Sequence, residues 1–174
     1  MPADRLNRDA IIRDLNDALK DIDYSAVRKE EDGGVDAATE RALDAAAPHF
    51  YALVQEPMYC EDPKAVEAIL SAFDAFSKVD IAAYGGATGY TPAIVSAVVV
   101  NAPYGGALDT ELAKRMPALM NGMSFPDRQQ FQNDMLDMGV HKDAGSDGCV
   151  TAEVVRTAAL PTTPRVKPEQ GPRL

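Results

Sequence analysis

The chain contains no tryptophan, only two cysteines and two histidines, and few basic side chains: 17 Lys and Arg stand against 27 Asp and Glu among 174 residues. Each scarcity excludes a class of function. Cys60 and Cys149 are far apart and lack a C-x-x-C spacing, which removes zinc-ribbon and thioredoxin-type chemistry and leaves two buried thiols as the plain expectation. His49 and His141 are too widely separated to suggest a zinc site. A net charge of −10 at pH 7 opposes phosphate-backbone binding, so nucleic acid is not expected as the main ligand. No stretch approaches the ~20 apolar residues that a membrane span requires. The opening residues are charged at Asp4 and Arg5 with no apolar region behind them, so no secretory or transit signal is visible and cytoplasmic synthesis is expected.

What remains is 46% apolar and 25% charged, a composition that builds one globular domain. The periodicity is helical throughout. Leu6, Ala10, Ile11, Leu15, Ala18, Leu19 and Ile22 form one stripe over residues 4–22. A polar loop at 28–34 follows, so the helix within residues 1–27 has the freedom to dock on a partner, although packing on its own domain is the preferred expectation. Residues 35–47 are alanine-rich and helical, and Pro48 predicts an end or a kink. Asp62-Pro63 is a cap followed by proline at the first helical position, and Val66, Ile69, Leu70, Phe73 and Phe76 continue it as a helix over 63–77. Thr91-Pro92 repeats that start before residues 93–100, whose valines also suit a strand; helix is preferred because no partner strand is apparent. Asp109 is expected to cap a helix that Pro117 kinks or splits, Ser124 with Asp127 to cap the next, and Thr151 to Leu160 to form a last short one. The fold expected is mainly α: a compact single-domain bundle of about six to eight helices over 1–160 with Gly/Pro-rich loops, and an extended C-terminal arm.

Candidate chemistry is sparse. The glycine-rich loop Gly85-Gly86-Ala87-Thr88-Gly89 lacks the Lys-Ser/Thr pair of a phosphate loop and the G-x-G-x-x-G order, so a structural turn is expected. Residues 143–153 resemble a calcium loop of the EF-hand kind through Asp143, Asp147, Gly148 and Val150. Gly145 stands where a ligand is wanted, Val154 where a bidentate glutamate belongs, and Glu153 is one residue early, so Asp143, Asp147 and Glu153 are an incomplete metal set. A thiol enzyme would pair Cys60 or Cys149 with a histidine, against acidic neighbours that raise the thiol pKa. Residues 86–97 and 145–158 share a Gly-x-x-Gly turn leading to threonine, short of a duplication.

Two features point to protein partners. Met116, Met120, Met123, Met135 and Met138 give a methionine-rich region; core packing is expected, and if Met116, Met120 and Met123 face outward they make an interface. Residues 161–174 hold Arg165, Lys167 and Arg173 against Glu169, with four prolines, so the chain divides into a body of −12 over residues 1–160 and a basic, polyproline-like arm of +2. The function expected is a non-catalytic structural or adaptor subunit of a homo- or hetero-assembly, such as a phage or bacterial particle, with no cofactor and no membrane. Its interface residues would be Met116, Met120, Met123, Arg165, Lys167 and Arg173. The alternatives are a small thiol-dependent enzyme and an acidic inhibitor or immunity-type protein that binds a basic partner.

Overall fold

The computed structural model describes residues 2–25, 27, 35–87, 89–137, 151–152 and 154–155. It is a compact, mainly α-helical fold, with six helices bounded among the described residues: α1 (Pro2–Leu19), α2 (Ala37–Val54), α3 (Pro63–Tyr84), α4 (Thr91–Asn101), α5 (Ala107–Asn121) and α6 (Phe125–Asp137). A 3₁₀ turn (Tyr59–Glu61) lies between α2 and α3, and there is no strand among the described residues.

The central element is α3, and its start is the one the Asp-Pro pair predicts. The Asp62 carboxylate accepts from the Ala65 amide at 3.0 Å, while Pro63 occupies a first-turn position whose N–H would have no helical partner. Val66, Ile69, Leu70, Phe73 and Phe76 are buried. The helix runs beyond residue 77 because Val79 and Ala83 carry the apolar stripe on to Tyr84. It ends where Gly85 adopts φ +82° and donates its N–H to the Ile81 carbonyl, a left-handed cap that suits glycine.

α2 is a single helix through Pro48. Asp36 caps it by accepting from the Thr39 amide and hydroxyl, and Leu43, Ala46, Phe50, Leu53 and Val54 are buried along one side. Pro48 is exposed, so the carbonyl four residues back, which loses its partner, faces the solvent side of the helix, and the burial of Phe50 to Val54 holds the helix together beyond it. Fully burying Phe50 and Phe76, which meet edge-on at 6.3 Å, contributes roughly 1.5–3 kcal/mol for each ring. Pro117 likewise sits exposed inside α5 without splitting it.

α1 packs mainly on α2 and also on α3. Leu15 is fully buried, Ile11, Ile12, Ala18 and Leu19 are partly so, and Ile22 is buried just past the helix end. Arg8 reaches Asp62 at 2.8 Å, and Lys78 stacks its ammonium 4.6 Å from the Tyr24 ring centre, so both ends of this segment are fastened to α3. Residues 93–100 are helical within α4, apolar nearly all round and packed against α2, α3, α5 and α6. Ser124 caps α6 as expected: its Oγ accepts from the Asp127 amide and donates to the Asp127 carboxylate. Phe131 and Met135 are buried. Residues 151, 152, 154 and 155 are helical, with Thr151, Ala152 and Val155 buried.

The core packing expected of the methionines holds, and the interface assigned to Met116, Met120 and Met123 is corrected. Met116 and Met120 are fully buried and Met123 nearly so, with the Met123 sulfur accepting the Ala87 amide at 3.4 Å. Their spacing places them on the inward face of α5 and its end, so these three side chains present nothing to a neighbour.

Candidate functional site

Neither α4 nor α5 caps its own N-terminus. The residue before α4 is Tyr90, and the residue before α5 is Gly106; neither provides a side-chain cap. The first amides of both helices are instead met by carboxylates from elsewhere in the chain. Asp80, on the buried face of α3, accepts from the amides of Gly89 (3.2 Å), Tyr90 (2.9 Å) and Thr91 (2.7 Å) and from the Thr91 hydroxyl (2.6 Å). Its side chain is inaccessible to solvent. Burial pushes its pKa up, while the bonds from Thr91, Tyr90 and Gly89 pull it back. The expected Thr91-Pro92 start is therefore right in position but different in mechanism: Thr91 is a donor to Asp80 instead of the cap. The glycine-rich loop between α3 and α4 is a structural turn folded around this carboxylate, and a Cβ added at Gly89 would lie 2.5 Å from Asp80 Oδ1.

At the other end of α4 the same device recurs and builds an exposed corner. Tyr59 and Cys60 are buried and turn Met58 outward, and the Glu61 carboxylate accepts from the Ala107 amide at 3.1 and 3.3 Å. A Cβ at Gly106 would push the Glu61 carboxylate off this amide. The turn between α4 and α5 is fixed from its own side as well. Gly105, at φ +71°, donates its amide to Asp109 Oδ2 at 2.8 Å, and Gly106 donates to the Pro103 carbonyl at 3.0 Å. Asp109 lies within the first turn of α5 instead of preceding it. It is buried, and its other oxygen accepts from the Thr151 amide while its carbonyl accepts from the Thr151 hydroxyl, so Thr151 is anchored at this turn.

Two rigid turns, joined at Glu61 and Ala107, thus carry large apolar side chains that the fold leaves in solvent. Tyr104 is 66% exposed and Met58 54%, and Val100, in the last turn of α4, is 72% exposed. The turns also carry Glu56, Glu61 and Asp62 and no basic residue. The corner therefore presents apolar and acidic side chains to solvent.

The remaining sequence-derived candidates fare differently. The Cys60 thiol is buried, donates to the Val54 carbonyl at 3.4 Å, and is pushed up to about 11 by burial and then by the charges of Glu61 and Glu56, which makes it a poor nucleophile. Asp143, Asp147, Cys149, His141, Glu153, Arg165, Lys167 and Arg173 lie outside the described residues. Among the described residues, no group of three His, Cys, Asp or Glu is placed to hold a metal, and no helix is long and apolar enough to cross a membrane. A surface groove of about 570 Å³ between α1 and α3 is lined by Asp9, Arg13, Asp17, Lys64 and Glu67, charges of both signs that select no one kind of ligand. Sequence reasoning missed Asp80, Glu61 and Tyr104. An aspartate within the apolar stripe of α3 is the one local signal that marked Asp80; the exposure of Tyr104 follows from tertiary packing alone. Comparison with protein-family models, with curated proteins and with solved structures returns no match.

Proposed function

We propose that the chain is a non-catalytic structural or adaptor subunit of a larger protein assembly, for example a phage or bacterial particle. It meets neighbouring chains through the Met58–Tyr104 corner and through the basic arm bearing Arg165, Lys167 and Arg173. One observation carries this reading: Tyr104 and Met58 stand more than half exposed on turns that Glu61, Asp109 and two glycines brace, and Val100 is as exposed in the last turn of α4. Large apolar side chains displayed on a preorganised scaffold are characteristic of protein-binding surfaces, where aromatic and methionine residues are enriched. Light scattering and native mass measurement of the full chain test it. Species above 18.6 kDa are expected, and they should fall to the protomer mass in the Met58→Ser/Tyr104→Ser variant. A strict monomer at every concentration, with no complex formed by any candidate neighbour, overturns the proposal.

The −12 charge of residues 1–160 favours a second reading, an acidic inhibitor that captures a basic protein. A salt-sensitive one-to-one complex with a basic partner, unaffected by substitutions at Met58 and Tyr104, would select it.

A further inference from the structure

The exposed corner lies close to where the described chain ends. Thr151 bonds to Asp109 in the first turn of α5, three residues past the Gly106 amide that closes the Tyr104 turn, and Val155 is buried one helical turn later. The six steps from Val155 to Pro161 span at most about 20 Å of extended chain. Residues 161–174 therefore begin within reach of the corner.

Their chemistry also matches it. The arm holds Pro161, Pro164, Pro168 and Pro172 together with Arg165, Lys167 and Arg173. The corner offers a tyrosine ring and a methionine on turns that carry Glu56 and Glu61 and no Lys or Arg, with Val100 exposed at the end of α4. Aromatic platforms accept proline-rich segments because such segments have little conformational freedom to lose, and flanking carboxylates fix basic residues in register. Among the described residues, the cation that reaches these turns from α1, Arg8, is paired with Asp62 and Asp9, which leaves the Glu56 carboxylate for the arm, while Glu61 keeps the Ala107 amide and adds its negative charge. A segment tethered this closely has a local concentration in the millimolar range, above that of any second copy in dilute solution.

We infer that, in the free protein, residues 161–174 dock on the Met58, Val100 and Tyr104 corner of their own subunit. The inference rests on the proposal that this corner is a protein-binding surface and adds its ligand class, a proline-rich basic segment. A neighbour's segment of the same kind would then compete with the arm for one site.

The test uses the full chain, with Cys149→Ser and Gly171→Cys carrying a spin label and the buried Cys60 left unlabelled. Paramagnetic broadening is read by NMR at the Met58 methyl and the Tyr104 ring, with Ile81 and Phe125 at the opposite end of the bundle as references. Strong broadening at Met58 and Tyr104 is expected, weak broadening at the references, and recovery both in high salt and in the Arg165→Glu/Lys167→Glu variant. Equal broadening at both ends, or none, overturns the inference. So does broadening that appears only when spin-labelled chains are mixed with isotope-labelled ones, which would place the arm on a second copy. These outcomes are independent of the mass measurement, so docking of the arm can fail while the assembly reading stands.

Discussion

Replacing Asp80 by alanine removes the acceptor for four hydrogen bonds at once, and the structure sets the size of the effect. Gly89 is exposed and Tyr90 half-buried, so their amides regain water; Thr91 is fully buried, so its amide and hydroxyl do not. Two buried donors left unpaired cost about 1–3 kcal/mol each. Against this, removal of a carboxylate whose ionisation burial opposes returns part of the loss. A net destabilisation of about 3 kcal/mol is expected, equivalent to a drop in Tm of roughly 6–12 °C for a chain of this length. Asp80→Asn keeps one oxygen in the position that serves Gly89 and Thr91, and should cost about 1 kcal/mol. Urea unfolding followed by helical circular dichroism measures both variants, with an unchanged m-value as the sign that the native fold persists. If alanine costs less than about 1 kcal/mol, or asparagine costs as much as alanine, the carboxylate is not what holds the start of α4.

Further outcomes follow from neighbouring features. Because burial raises the Asp80 pKa in the folded state, the folded chain takes up this proton more readily than the unfolded one; wild type should therefore gain stability relative to Asp80→Asn as pH falls from neutral towards the carboxylate range, and urea midpoints across pH check the sign. Gly89→Ala forces a Cβ to 2.5 Å from Asp80 and 2.6 Å from the Tyr84 ring, whereas Gly85→Ala meets open space and bears only a left-handed backbone cost of about 1–2 kcal/mol, so the first should lower Tm more than the second. In the Cys149→Ser variant the remaining thiol, Cys60, should resist iodoacetamide near neutral pH and react once urea unfolds the chain; rapid alkylation of the native protein would contradict its burial and raised pKa.

What the sequence made legible depended on the range over which each signal acts. Caps and stripes are local, and so Asp62-Pro63, the helical choice for 93–100 and the Ser124–Asp127 start of α6 could all be read from neighbouring residues. Pro48 and Pro117 break neither helix, because the cost of a helical proline is local while what offsets it, the burial of Phe50, Leu53 and Val54 or of Met116 and Met120, is tertiary. The exposed corner was invisible for the same reason. Nothing in the neighbourhood of Tyr104 distinguishes it from Tyr59, which is buried; tertiary packing decides which aromatic faces water. The methionines had the right spacing for either role, and their place on α5 assigned them to the core.

The borrowed caps also bear on how the chain acquires its structure. A helix that carries its own cap can form transiently before anything packs against it, but α4 and α5 leave their first amides unmet until Asp80 and Glu61 are in position. Both carboxylates belong to the segment that ends α2 and forms α3, so the later helices should lag behind α3, and substitutions at Thr91 or Ala107 should change the unfolding rate more than the folding rate. Peptides spanning α4 or α5 alone should show little helix. The chain would then unfold as one cooperative unit, with its first half acting as the template on which the second is ordered.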